Sequence, residues 1–170
     1  LLELVDKLTK AVDEKKITVG IFVDLAKAFD TVHHGVLIAK LQYYGIRGIA
    51  LDWFRDYLSN RKQYVSINKS DSTLMSIKCG VPQGSILGPI LFLIYINDLN
   101  HISQKLNTIM FADDTNLFLT GKSLIDIEKQ LNDELFIINY WFRANLLSLN
   151  ITKTSYMIFG NINFQDINLH

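Results

Sequence analysis

Stretches of helical and of extended hydrophobic periodicity succeed one another along the chain. Apolar residues at steps of three and four predict a first helix over residues 2–12. Residues 17–25 then form a continuous apolar run rich in β-branched side chains, which is typical of a strand buried on both faces. The only charged residue of this run, Asp24, lies near its carboxyl end.

The rest of the chain contains four more periodic segments of helical type and five of extended type. The most regular helix follows Ser123, a capping residue, and carries one apolar stripe as far as Phe142. Gly45 has the position of a glycine that ends a helix. The other predicted elements are helices over residues 31–44, 49–58 and 86–99 and strands over residues 63–68, 74–79, 108–112, 116–120 and 155–159.

This order of elements predicts an α+β fold of the split βαβ type, similar to ferredoxin and RRM domains. In that arrangement helices pack on one face of a small antiparallel sheet. The two prolines, Pro82 and Pro89, fall in one short stretch, and no linker is evident. We therefore expect one domain over residues 1–170.

Composition narrows the classes of function. Apolar residues make up 49% of the 170 residues, which suffices for a core. Lys and Arg together number 17, as do Asp and Glu, so a strongly basic nucleic-acid-binding surface is excluded but a local basic groove is not. The single Cys79 excludes an internal disulfide and a zinc site of several cysteines. Without a signal peptide or a membrane-spanning segment, we expect an intracellular protein, in the nucleus or the cytoplasm.

Three carboxylates are candidates for a metal-binding site. Asp24 ends the apolar strand, and Asp113 and Asp114 lie at the tip of a predicted hairpin, so all three converge if the hairpin pairs with that strand. Like charges within about 5 Å of one another cost about 3 kcal/mol per pair at an effective dielectric constant near 20. A divalent cation such as Mg²⁺ or Mn²⁺ would offset this repulsion. The alternatives are an ordinary Asp-Asp turn and a helix cap at Asp24.

Four sequence blocks stand in a characteristic order. They are FVDLAKAFDTVHH (residues 22–34), GVPQGSILGPILFLIYINDL (80–99), FADD (111–114) and LSLNITKTSYMIF (147–159). Together they resemble motifs A to D of the reverse transcriptase palm, and more narrowly the LINE- or jockey-type enzymes of non-LTR retrotransposons. The second block is the most specific of the four.

The resemblance implies an RNA-directed DNA polymerase, in which a primer 3′-hydroxyl attacks the α-phosphate of a deoxynucleotide. Asp24 and Asp113 would hold two Mg²⁺ or Mn²⁺ ions, with support from Asp114, and the backbone carbonyl of Leu25 would add a contact. Lys153 would lie near the leaving pyrophosphate as a general acid. Its alternative is a solvated surface lysine.

The resemblance also assigns contacts with the nucleotide and the primer. Phe29 matches the residue whose ring would clash with a ribose 2′-hydroxyl and so select deoxynucleotides, although a core aromatic is the alternative. The loop Pro82-Gln83-Gly84 would approach the nucleotide closely, with Gln83 bonding its sugar or the template base. Phe111, which stands where Tyr is commonest, and Ala112 would lie near the primer.

Departures from the family pattern predict a partial enzyme. We expect residues 1–170 to lack the fingers region, the endonuclease domain and a zinc knuckle, and to contain only the start of the thumb at residues 160–170. Expected partners are an RNA template, a DNA primer or target, and dNTPs, with no membrane. Arg61, Lys62 and Lys69 could contact template phosphates or form a solvated hairpin. Competing interpretations are a catalytically inactive remnant, a viral RNA polymerase, which usually has Gly-Asp-Asp, and a group II intron protein.

Overall fold

The structure is a computed structural model of the chain. It describes residues 2–161 and 167–169, with side chains from residue 4 onward. Helices α1–α6 cover Leu2–Asp13, Ala28–Thr31, His34–Tyr43, Ile49–Leu58, Leu87–Ile96 and Leu124–Ala144. Strands β1–β8 cover Ile17–Val23, Lys62–Gln63, Ser66–Ile67, Ser70–Asp71, Met75–Ser76, Asn107–Phe111, Asp114–Gly121 and Ser155–Phe159.

The chain divides into two compact units. The first joins Leu1–Ala26 to Asp98–His170, and the second is Lys27–Asn97. The expectation of one domain over residues 1–170 stays a prediction. No helix in the described segments is long and apolar enough to cross a lipid bilayer.

The first unit is built on a four-stranded antiparallel sheet in the order β6-β7-β1-β8. Central strand β1 pairs on both sides, so that Val19 lies opposite Leu119 of β7 and Ile158 of β8. Burial on both faces explains why the run over residues 17–23 is continuously apolar. This sheet confirms the predicted α+β fold with a small antiparallel sheet.

Helix α6 covers one face of this sheet. A Cβ added to Gly121 of β7 would lie 2.8 Å from Ile127 Cγ1, which shows how closely helix and strand approach. The predicted cap is present, since Ser123 Oγ accepts from the Asp126 N–H at 3.5 Å. The predicted apolar stripe is also confirmed. The buried side chains of α6 are Leu124, Ile127, Leu131, Glu134, Ile138, Trp141 and Phe142.

Thr115 of β7 is a polar residue buried in this sheet. It lies opposite Val23 and is 0% exposed, and its Oγ1 has no hydrogen-bond partner within the described residues. A buried hydroxyl without a partner costs about 1–3 kcal/mol in desolvation. We therefore expect Thr115→Val to raise the free energy of unfolding by about 1 kcal/mol in urea titrations.

Thr18 supplies the matched control for this prediction. It is also buried, at 2% exposure, but its Oγ1 lies 2.8 Å from Thr120 Oγ1 and shares a hydrogen bond with it. Thr18→Val should therefore lower the free energy of unfolding by about 1 kcal/mol. Equal and destabilising effects of the two substitutions would contradict the assignment of Thr115 as unsatisfied.

The second unit is helical with two small ribbons. Helix α3 packs against α4 and α5 through fully buried leucines, among them Leu37, Leu41 and Leu91. Strand β2 pairs with β5, and β3 pairs with β4, each over two exposed residues. The structure has these short ribbons where two longer strands were predicted over residues 63–68 and 74–79. That prediction was therefore wrong in detail.

Two predicted helices have different bounds in the structure. The helix predicted over residues 31–44 is interrupted at Val32, which is buried and whose carbonyl accepts from the Gly80 N–H at 2.8 Å. His33 then caps α3, with Nδ1 accepting from the Val36 N–H at 3.4 Å. The helix predicted over residues 86–99 ends at Ile96 and continues as a 3₁₀ turn.

Candidate active site

Asp24 is the first residue beyond β1, at the end of the central strand. Its backbone is held on both sides by the loop of residues 148–154. The Asp24 carbonyl oxygen accepts from the Asn150 N–H at 2.8 Å, and the Asp24 N–H donates to Thr154 Oγ1 at 3.2 Å. Because both backbone groups are bonded, the position of Asp24 is fixed relative to this loop.

The same loop is a tight turn that places Lys153 beside Asp24. The Asn150 carbonyl oxygen accepts from the N–H groups of Lys153 and Thr154, at 3.1 Å and 2.9 Å, and from Thr154 Oγ1 at 3.0 Å. The Asn150 side chain also accepts from Thr152 Oγ1 at 2.8 Å. The side chain of Lys153 is exposed.

The acidic pair lies at the hairpin between β6 and β7. Phe111 pairs with Asp114, so the turn consists of Ala112 and Asp113, one residue earlier than the sequence predicted. Ala112 has a φ of 54°, a left-handed conformation that costs an L-residue about 1–2 kcal/mol. Asp113 and Asp114 are exposed, and the Phe111 ring is 79% exposed.

The strand register brings Asp114 level with Asp24. Thr115 pairs with Val23, so the next residue outward on each strand is one of the two aspartates. The two aspartates and Lys153 line one pocket of about 280 Å³. Its complete lining is Phe22, Val23, Asp24, Asp114, Asn116 and Lys153.

Asp113 is not part of this lining. Over the ranges that the structure describes, no three His, Cys, Asp or Glu side chains are grouped so as to hold a metal ion. The structure therefore brings together Asp24, Asp114 and Lys153, and it leaves Asp113 at the tip of the hairpin. The donor chemistry of the pocket still fits Mg²⁺ or Mn²⁺, because carboxylate oxygens are the hard ligands that these ions prefer.

The loop Pro82-Gln83-Gly84 belongs to the second unit and is locked onto the first turn of α5. Ser85 Oγ donates to the Pro82 carbonyl oxygen at 2.8 Å and accepts from the Gly88 N–H at 2.9 Å. A Cβ at Gly88 would lie only 2.5 Å from that carbonyl oxygen. Gly84 has a φ of 80°, a backbone conformation that favours glycine.

Phe29 and Gln83 lie on neighbouring segments of the second unit. The Val81 N–H donates to the Phe29 carbonyl oxygen at 2.8 Å, and the partly exposed Phe29 ring packs on buried Phe92 at 4.7 Å between centroids. Gln83 Nε2 donates to Asp30 Oδ1 at 2.9 Å, which orients the side-chain amide of an otherwise exposed residue. Leu25, in the first unit, is buried, and its backbone bridges to residue 149.

Sequence reasoning missed four residues of these sites. Asn150 and Thr154 hold Asp24, Asn116 lines its pocket, and Asp30 orients Gln83. The Asn-x-Thr-x-Thr spacing over residues 150–154 is typical of side chains that bond local backbone, and it could have indicated the turn. Nothing in the sequence pairs Asp30 with a residue 53 positions away.

Comparison with known proteins places the sequence of this chain in a family. The family described as reverse transcriptase (RNA-dependent DNA polymerase) matches residues 2–165. Among relatives from Drosophila melanogaster, a probable RNA-directed DNA polymerase from transposon BS is 30% identical over 90% of this chain. The RNA-directed DNA polymerase from mobile element jockey is 28% identical over 95% of it. The chain spans 18% of the length of each of these relatives.

Solved structures agree on the fold. An apo telomerase from Candida tropicalis truncated from its C-terminal domain superposes on 96% of this chain with a TM-score of 0.66, at 13% identity and over 36% of its own length. A Candida albicans telomerase with a telomeric RNA fragment gives a TM-score of 0.64 at 15% identity, over 91% of this chain and 30% of its own. The chain belongs to the reverse transcriptase family, a family of nucleotidyltransferases, and within it to the non-LTR retrotransposon type represented by jockey.

Proposed function

We propose that this chain forms the palm portion of an RNA-directed DNA polymerase of a retrotransposon, which extends a primer 3′-hydroxyl with deoxynucleotides on an RNA template. The observation that carries the proposal is the pocket at the end of β1. There, the pairing register sets Asp24 and Asp114 side by side, with Lys153 across the same pocket. In a chain of this family, paired carboxylates at that position favour nucleotidyl transfer.

Asp24, Asp113 and Asp114 would hold two Mg²⁺ or Mn²⁺ ions, with a further contact from the Leu25 carbonyl. When bound, such ions lower the pKa of an attacking hydroxyl and stabilise the leaving pyrophosphate. Lys153, the cation in the pocket lining, would donate a proton to the pyrophosphate as it leaves. Asn150 and Thr154 would keep Asp24 at a constant position.

The second unit would select the nucleotide. The Phe29 ring is braced against Phe92, so it cannot yield to a ribose 2′-hydroxyl without disturbing a buried contact. Gln83, oriented by Asp30, would bond the sugar or the template base. Pro82 and Gly84 shape the loop that lets the backbone approach the nucleotide.

The primer would lie along the hairpin of the first unit. The exposed ring of Phe111 lies just before its tip, and the backbone at Ala112, with its positive φ, is part of the tip. The RNA template, the DNA primer or target and the dNTP are the proposed substrates, and the complete protein would add fingers, thumb and endonuclease regions. Residues 162–166 and 170 of the expected start of the thumb lie outside the described residues. We place the activity inside the cell, in the nucleus or the cytoplasm.

A second candidate is a catalytically inactive remnant that keeps the palm fold with weak nucleic-acid binding. The observation that favours it is the place of Asp113, which does not line the pocket of the other two aspartates. The zero net charge of the chain also offers little general attraction for nucleic acid. The two candidates have the same fold, and only the first would extend a primer.

Primer extension on a poly(rA)/oligo(dT) hybrid separates them. We expect the wild-type chain to extend the primer with dTTP and Mg²⁺ or Mn²⁺, and we expect neither Asp113→Ala nor the wild type with EDTA to do so. Circular dichroism would verify that each protein is folded. No extension by folded wild-type protein would overturn the proposed activity of this chain and establish the inactive remnant.

A further inference from the structure

The side of α6 that faces away from the sheet is apolar at its centre. Phe136 and Tyr140 are one helical turn apart on this side, and their side chains are 74% and 73% exposed. Ile125 lies on the same side nearer the start of the helix, and Ile137 lies at its edge, and both are exposed. Because contiguous exposed apolar side chains mark interaction surfaces, this side of α6 is a candidate interface.

Residues 167–169 reach this helix without covering the two rings. The Asn168 carbonyl oxygen accepts from Asn132 Nδ2 at 2.9 Å, and Ile167 is buried. Asn132 lies one helical turn before Phe136, which stays exposed beside this contact. Within the segments that the structure describes, the centre of this surface is therefore open.

Two opposite charges flank the aromatic pair. Asp133 lies three residues before Phe136, and Arg143 lies three residues after Tyr140, and both charged side chains are exposed. Neither of them forms an ion pair with any residue that the structure describes. We call these four residues the outer stripe, which runs acid, aromatic, aromatic, base along α6. A stripe of this order is complementary to its own reverse, as a twofold interface requires.

We propose that the outer stripe of α6 binds the outer stripe of a second copy of this chain, with the two helices antiparallel. In a pair centred at Ile138, Phe136 of one copy lies level with Tyr140 of the other. In the same register Asp133 lies level with Arg143 of the other copy. The twofold symmetry makes each contact twice, so the dimer has two aromatic contacts and two ion pairs.

The remaining charges of this surface permit the register. Lys129, one turn before Asp133, lies level with residue 147 of the other copy, which is beyond the end of α6. No like charges therefore meet along the outer stripe. A nucleic acid is disfavoured as the occupant, because the Asp133 carboxylate beside the rings would repel its phosphates.

The area of the surface indicates a weak dimer. At their observed exposure, the four rings of two copies would bury about 600 Å². Ile137 and the stem of Arg143 add apolar area on each copy. The total approaches about 1,200 Å², the lower end of stable protein interfaces. We therefore expect a reversible dimer with a dissociation constant on the order of 10 μM.

This dimer goes beyond the proposed function and leaves the pocket of Asp24 open. Gly121 of β7 faces α6, whereas Asn116, five residues earlier on the same strand, lines that pocket. Successive side chains of a strand alternate between the two faces of a sheet, so α6 and the pocket lie on opposite faces. Substitutions in the outer stripe should therefore leave the rate of primer extension unchanged.

Sedimentation equilibrium tests the aromatic contacts. We expect the wild-type chain to dimerise, and we expect Phe136→Ala and Tyr140→Ala each to weaken dimerisation at least about tenfold, because central aromatic residues dominate interfaces. Tyr43→Ala, which removes a still more exposed ring from α3, is the matched control and should dimerise as the wild type does. Circular dichroism would verify that each variant is folded.

Two results would overturn the proposal. The first is folded wild-type protein that stays monomeric at about 100 μM, ten times the expected dissociation constant. The surface would then belong to a different protein or to a further segment of a longer chain. The second is equal dimerisation of Phe136→Ala and Tyr43→Ala, which would place the dimer interface elsewhere.

Charge reversal tests the antiparallel register. Asp133→Arg sets two arginines against each other in each half of the dimer, and Arg143→Asp sets two aspartates against each other, so each variant alone should dimerise at least about fivefold more weakly. An equimolar mixture of the two variants should regain the wild-type affinity, because every arginine then meets an aspartate. Added salt at about 1 M should reduce these differences. A mixture that associates no better than the separate variants would overturn the register.

Discussion

Asp24→Asn is expected to abolish nucleotide incorporation by this chain while leaving its fold intact. The substitution keeps the shape of the side chain and removes one of the two carboxylates that line the pocket. Losing several kcal/mol of transition-state stabilisation by a bound cation corresponds to at least about a thousandfold in rate, at 1.36 kcal/mol per factor of ten. Primer extension with a poly(rA)/oligo(dT) hybrid would measure the loss.

The stability of the Asp24→Asn variant should not fall with its activity. Asp24 and Asp114 lie level on neighbouring strands, so removing one charge relieves their repulsion. The midpoint of thermal unfolding should therefore stay the same or rise. Asp133→Asn, on the exposed side of α6, serves as the control for charge alone and should keep full activity. Activity of Asp24→Asn above about a tenth of the wild-type rate would contradict the assigned role of the carboxylate.

Gly80→Ala is expected to be the most destabilising of the substitutions considered. Gly80 has a φ of 89°, and a Cβ there would lie 2.8 Å from the Asp30 backbone oxygen. The left-handed conformation costs about 1–2 kcal/mol and forced overpacking costs about 1–3 kcal/mol. We therefore expect the free energy of unfolding of the second unit to fall by about 3 kcal/mol in urea titrations followed by circular dichroism.

Gly45→Ala separates the cost of the left-handed conformation from the cost of overpacking. Gly45 has a similar φ of 96°, but nothing lies within 4 Å of its added Cβ. Its replacement should cost only about 1–2 kcal/mol, the conformational part alone. If the two alanine variants lost the same stability, the close approach of Gly80 to Asp30 would not be a feature of the folded protein.

Gly80→Ala should also disturb the loop Pro82-Gln83-Gly84, to which we assign contacts with the nucleotide. The Gly80 N–H donates to the Val32 carbonyl oxygen, and the following residue, Val81, is bonded to Phe29. These bonds align the loop containing Gln83 with the segment containing Asp30. A shift of Gly80 would therefore separate Gln83 from the carboxylate that orients it.

Local sequence patterns were sufficient for the elements whose periodicity is strong. The apolar run over residues 17–23, the capped helix after Ser123 and the strand over residues 155–159 are all present, because each pattern reflects burial that the fold requires. Gly45 also follows α3 as predicted, where its positive φ ends the helix. The family resemblance rested on contiguous blocks of sequence, so it could be recognised without any tertiary contact.

Elements shaped by distant contacts were predicted less well. The helix expected over residues 31–44 is broken at Val32, whose carbonyl bonds to Gly80, 48 residues further along the chain. The strands expected over residues 63–68 and 74–79 are short ribbons with exposed residues, and left-handed residues at Asn68 and Lys69 turn the chain between β3 and β4. The secondary-structure propensity of a residue carries no information on such contacts between residues far apart in sequence.

The sequence by itself determined the family and the order of its most regular elements, because these depend on residue types and on short-range periodicity. Only the tertiary structure decided which side chains meet. The antiparallel register between β1 and β7 sets Asp114, rather than Asp113, level with Asp24, and the turn after Asn150 brings in Lys153. Register and turn geometry depend on pairings between residues far apart in sequence, so they follow from the packed fold and not from any local pattern.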